Sequence, residues 1–293
     1  DLSTLLRSTF APREGQRICI LIDLPDPARM KDFDFLKSSE LPIQANAVNF
    51  FHKPLHARVM KELGLQGGGI FAYKITGGSN LDLPDEAVTP EGTTVSLEKD
   101  IYPDHDIILC VSTYSATAPL TAFAKQYKFR GATLHGVNPT ILRSGLSVSY
   151  DDVSIDAEKM RLGMTKADWV EIDFLYSGKT HTLRLELGGQ EAQKSHGLCR
   201  GDEPDVANLP AGEIYFVPTG ASGHFPMRYE NGTIGLMHVA NGRIQKAELL
   251  NGDAETVAAH NAKLASDPVT GELGELGFEF LVVKVVESNT VFG

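Results

Sequence analysis

Two short apolar runs constrain this chain more than anything else in it. Arg17-Ile-Cys-Ile-Leu-Ile-Asp23 lies between Glu14-Gly15 and Pro25, and Asp106-Ile-Ile-Leu-Cys-Val-Ser112 lies further on. A strand with one wet face alternates polar and apolar residues. An unbroken apolar run of this length instead reads as a strand covered on both faces, as in a mainly parallel sheet. Helical spacing follows the first run in Val48, Phe51, Leu55, Val59 and Leu63, ending at Gly64. Pro54 is expected to split that segment into two helices. The second run passes through 112–119 into a helix over 120–127, and a further strand and helix cover 132–137 and 139–142. Strand and helix in alternation predict an α/β layer.

After about residue 150 the pattern changes. His181-Thr-Leu-Arg-Leu-Glu-Leu187 alternates cleanly, and Ser177-Gly178, Asn231-Gly232 and Asn241-Gly242 are two-residue turn signals between strand-like runs. A helix is expected over 254–264 and a closing strand over 278–286. The expected fold is therefore an α/β N-terminal domain with a mainly parallel sheet, residues 1–150. A mostly antiparallel α+β C-terminal domain, 151–293, follows it.

Several functions are disfavoured at this level. A formal charge of −11, with pI near 5.3, opposes nucleic-acid binding and an anionic membrane surface. No apolar run reaches the roughly 20 residues of a membrane span. Cys19, Cys110 and Cys199 form no CxxC pair, so no zinc knuckle or disulfide framework is expected. With no basic-then-apolar leader at the start, a reducing cytoplasm is the expected compartment. No GxGxxG follows a strand, and no Gly-x-Ser-x-Gly elbow is present. The hydroxyl-rich segment 112–117 follows a parallel strand, where ligands bind in such sheets, but Ser and Thr there also cap helices. His52 and His56 have metal-ligand spacing, with Pro54 between them.

The stretch 208–277 concentrates the remaining chemistry. It begins Asn-Leu-Pro-Ala-Gly-Glu213-Ile-Tyr-Phe-Val-Pro, includes Gly223-His224-Phe225-Pro226, and ends Gly271-Glu-Leu-Gly-Glu275-Leu-Gly277. Acids set among glycines and leucines suggest a carboxylate in a tight, partly dry place. Glu213, Glu275 and His224 are the metal-ligand candidates, because catalytic metals take carboxylate oxygen and imidazole nitrogen from distant strands and loops. Glu272 is expected to be a solvated neighbour.

The segment 208–218 resembles the Asn-x-Pro-x-x-Glu-x-(aromatic) signature of the leucyl aminopeptidase (aminopeptidase T/S) family of thermophilic metallopeptidases. Gly274-Glu275-Leu276-Gly277-Phe278 resembles that family's second signature, and 130–139 with 155–172 is more loosely similar to its central region. The resemblance implies a homodimeric, two-metal enzyme, using zinc or cobalt, that removes N-terminal residues from peptides. It implies metal ligation by Glu213 and Glu275, with Glu275 also catalytic; His224 matches no family ligand. The family's later ligands, a His, a Tyr and a His-x-Asp, have no counterpart after His260. The expectation is that the native chain continues beyond Gly293 or that the site is altered. Relatives of the fold include Fe(II)-dependent ring-opening dioxygenases of hydroxylated pyridines. A second expectation is thus an iron enzyme with a small-molecule substrate, and a third is a non-catalytic homologue that binds a small molecule or partner.

Overall fold

A computed structural model describes residues 1–279 of the chain. Its strands are β1 Arg17–Leu24, β2 Gln66–Lys74, β3 Glu86–Val88, β4 Thr94–Ser96, β5 Ile107–Ser112 and β6 Arg130–His135. There follow β7 Trp169–Tyr176, β8 Lys179–Glu186, β9 Gln193–Ser195, β10 Val206–Asn208 and β11 Glu213–Phe216. The last are β12 Gly220–Arg228, β13 Ile234–Ala240, β14 Arg243–Asn251 and β15 Leu276–Glu279. Within the described residues, one compact unit comprises Asp1–Asp156 with Ser195–Gly212, and the other comprises Ala157–Lys194 with Glu213–Glu279.

The first unit is built on a seven-stranded sheet in the order β10-β6-β5-β1-β2-β3-β4. Pairing is parallel from β10 to β2, while β3 and β4 join antiparallel. The apolar runs are the two central strands, and alternation assigns their residues to opposite layers. Ile18, Ile20 and Ile22 pack with Phe51, Leu55 and Val59, whereas Cys19 and Leu21 pack with Leu120 and Ala124. Both faces are dry, which is why neither run contains an interior polar residue. The segment 77–100 contains β3 and β4, three-residue strands too short to show a period.

Pro54 does not split its helix. Helical backbone runs through 42–63, with wide turns over Ala47–His52 and Leu55–Val59. The Lys53 N–H bonds to the Val48 carbonyl, five residues back. A π-type turn relieves the local ladder where proline can neither donate nor pack closely.

The second unit is antiparallel, as expected. Five strands run β14-β13-β12-β8-β7, and β11 pairs separately with β15. Two of the expected turns are present, with Ser177 and Gly178 both at positive φ and Asn241 and Gly242 likewise, whereas at Asn231-Gly232 only the glycine is at positive φ and the loop between Tyr229 and Thr233 has three residues. Helix Ala254–Ser266 covers one face of the five-stranded sheet, its Val257 packing with Met237 and Ala247 against Phe225 and Met227. The expected closing strand is β15 as far as Glu279, and its remainder lies outside the described residues. A helix over Tyr150–Met164 was not legible, because its sequence has only a weak apolar stripe. No described helix is long and apolar enough to cross a membrane.

Candidate functional site

The carboxylates meet where β11 pairs with β15. Glu213 is the Cα partner of Glu279, and Tyr215 is the partner of Gly277. Like charges directly opposite one another oppose pairing. Glu213 is half-buried and has no hydrogen-bond partner among the described residues, while Glu275 and Glu279 are exposed. Burial first, then the charges of Glu275 and Glu279, pushes the Glu213 carboxyl above the usual carboxylate range. The same surroundings raise the Tyr215 hydroxyl, burial again acting most strongly. Gly277 makes room for this arrangement, since a β-carbon there would collide with the Glu213 carboxylate. The tight, dry place read from the sequence thus belongs to Glu213. Glu272 is exposed as expected, and its backbone forms an isolated antiparallel β-bridge with that of Arg243.

His224 keeps other company. It is the Cα partner of His238, their ring centres 5.8 Å apart, and His181 stands edge-on to it at 5.9 Å. Its ring contacts are to these two imidazoles and to neither Glu213 nor Glu275. Strand β12 reaches this point through Gly223, at φ 114°, where a side chain would collide with the Thr182 carbonyl of β8.

A second polar centre lies in the first unit, beyond the carboxyl ends of β1 and β5. Strand order reverses there, with β2 on one side of β1 and β5 on the other. Asp23 is 1% exposed and accepts from the Thr113 N–H at 2.9 Å and from Gln44 Nε2 at 2.5 Å. Burial raises its carboxyl, against the pull of those hydrogen bonds. The hydroxyls of 112–117 are committed internally. Ser112 donates to the Tyr114 carbonyl, Thr113 to Asp23 and Ser115 to Asn80, and Thr117 pairs with Thr133. His52 and His56 meet edge to face with ring centres 4.6 Å apart, and His56 Nε2 lies 2.9 Å from the Gly68 carbonyl oxygen. Burial and the neighbouring His56 lower His52 to about 4.

No known family's sequence profile matches the chain, and no curated protein matches it. Among solved structures, the chain is similar to 2,5-dihydroxypyridine dioxygenase from Pseudomonas putida KT2440. The likeness has a TM-score of 0.58 at 14% identity and spans 94% of this chain and 75% of that one. The fold is shared at that level.

These comparisons overturn the aminopeptidase expectation, and with it zinc- or cobalt-dependent peptide hydrolysis. The first motif has a local explanation. Asn208 ends β10, Glu213 starts β11, and Gly212 between them sits at φ 140°, which side chains rarely adopt. Pro210 lies against Gly145, where a β-carbon would come within 2.6 Å of it. Proline and glycine in that order suit a tight crossing between strands, and an eight-residue match driven largely by turn chemistry carries little kinship.

An iron centre of the non-haem oxygenase kind takes two histidines and one carboxylate. The carboxylate cluster contains no imidazole, and the histidine row lies apart from it. Among the described residues no group of three or more His, Cys, Asp and Glu side chains is placed to hold a metal ion. The described residues therefore do not fit an iron site, and no step is derived through one.

Proposed function

We propose that the chain is an oxygenase of the ring-opening class, acting on a small hydroxylated aromatic of the pyridine type. The fold likeness to 2,5-dihydroxypyridine dioxygenase carries this reading. The chain's own chemistry supports it through Glu213 and Tyr215. A half-dry carboxyl raised above the usual carboxylate range is a stronger base than a solvated one and is suited to accept the proton of an acidic ring hydroxyl. A neighbouring phenol whose own ionisation is suppressed remains a hydrogen-bond donor beside it. Neither role requires a cationic partner, and the charged groups that contribute to the two shifts are carboxylates.

The test is oxygen consumption by the full chain supplied with Fe(II) and 2,5-dihydroxypyridine, followed together with loss of the ring's ultraviolet absorbance. Coupled uptake is expected, with kcat lowered on the order of 10²-fold or more in Glu213→Gln, the scale of a lost general base. No uptake over a panel of hydroxylated pyridines would overturn the reading. A second reading, a homologue that binds such a ligand without turning it over, is favoured by the lack of a three-ligand group among the described residues. It predicts saturable binding of the hydroxypyridine with no oxygen consumed.

A further inference from the structure

The histidine row is used by neither reading, and its geometry is specific. His224 and His238 face each other directly across the β12–β13 ladder, where opposed β-carbons lie roughly 5 Å apart. Both side chains point away from helix Ala254–Ser266, because the adjacent Phe225 and Met237 pack with Val257 beneath that helix. Their ring centres are 5.8 Å apart with planes inclined at 37°. Two imidazoles bound to one tetrahedral ion at about 2.0–2.1 Å have ring centres roughly 5 Å apart. Closing the difference takes a small side-chain rotation.

The surroundings complete the case. His238 Nε2 is 3.1 Å from a Glu248 carboxylate oxygen, so its N–H is directed there and the Nδ1 lone pair is left available. A carboxylate that fixes the tautomer in this way is the usual support of a metal-bound histidine. His224 has no hydrogen-bond partner among the described residues, and neither has His181, which is 9% exposed and holds the far side of the His224 ring edge-on. One feature opposes a cation, namely Lys246, the Cα partner of His238 on β14.

We propose that His224 and His238 chelate a borderline divalent transition metal such as Zn²⁺ or Cu²⁺, with Glu248 orienting His238 and His181 backing His224. Two nitrogen ligands are fewer than a closed protein site needs, so water fills the remaining positions and the ion exchanges with solvent. Imidazole pairs select zinc, copper and nickel over calcium and magnesium. The proposal does not depend on the oxygenase reading, since its readouts involve no turnover.

Titration of the full chain with Zn²⁺ alone by calorimetry is the test. One ion per chain is expected, with affinity falling at least tenfold in His224→Ala and in His238→Ala. Glu248→Gln is expected to weaken binding tenfold or more, the usual scale of an orienting partner. Lys246→Gln is expected to tighten it several-fold. With Cu²⁺ on the unmodified protein, electron paramagnetic resonance should show two equivalent nitrogen couplings, a readout independent of how any variant folds. Unchanged affinity in both histidine variants would overturn the proposal. So would loss of the ion in Glu213→Gln alone, or a copper spectrum without two nitrogens.

Discussion

Glu213 shows how a single residue can oppose the stability of the fold that holds it. Its carboxyl is raised in the folded chain by burial and by Glu275 and Glu279. Between the unfolded value, near 4.3, and the raised folded value, the native state holds more protons than the unfolded one. Stability therefore falls as pH rises through that window, the reverse of a salt-bridged carboxylate, and the penalty is complete above the folded pKa. Glu213→Gln removes it. The variant is expected to melt higher than the parent at pH 7, with the difference shrinking toward zero as pH approaches 4. Scanning calorimetry over that range is the check, and a variant less stable at pH 7 would contradict the assignment. The residue's type and its neighbour Glu275 were legible in the sequence. Glu279 was not, because its claim depends on β11 meeting β15 in register, a pairing between segments more than 60 positions apart. The like-charge opposition arises only once that register is set.

At the scale of elements, the triple glycine 67–69 explains itself through the helix above it. Gly68 is the extra residue where β2 bulges against β1, since Ile18 pairs with Gly67 and Cys19 with Gly69. It sits at φ 82°, and a β-carbon there would come within 2.9 Å of the His56 ring and 2.8 Å of Met60 Sδ. The bulge and the wide-turned 42–63 helix fit each other, with the His56 to Gly68 carbonyl contact between them. Gly68→Ala should therefore destabilise the protein by about 2–3 kcal/mol, combining left-handed backbone strain with displacement of His56. Chemical denaturation measures this directly, and a change below about 0.5 kcal/mol would show that the helix yields freely. The glycines themselves are plain in the sequence. Their purpose is not, because it lies in the neighbouring helix. Pro54 was misread for a related reason. The rule that proline breaks a helix assumes a regular ladder, and here the turns before and after it are wider.

Across the whole molecule the two units differ in how their cores are built. The first has apolar clusters on both faces of its central strands, with β1 buried along nearly its whole length. The second buries fewer apolar side chains among its described residues, Leu183, Leu185, Ile214, Phe216 and Met237 among them, and its edge strand β7 leaves Trp169 and Leu175 exposed. Apolar area removed from water is the main source of stability, so the second unit has the lower intrinsic stability. The chain also moves from one unit to the other after Asp156, again after Lys194 and again after Gly212. One change of texture, near 150, was read from the sequence. The return of 195–212 was hidden, because β10 is a three-residue strand with no period of its own. Trp169 is the chain's single tryptophan and belongs to the second unit, so its fluorescence reports on that unit alone. In urea, the tryptophan signal is expected to change at lower concentration than the far-ultraviolet circular dichroism, which is averaged over both units. Such separation is the standard departure from two-state unfolding. Coincident transitions would mean that the crossings bind the units into one cooperative structure despite the unequal cores. In that case a mutation in either unit, Gly68→Ala included, would shift both signals together.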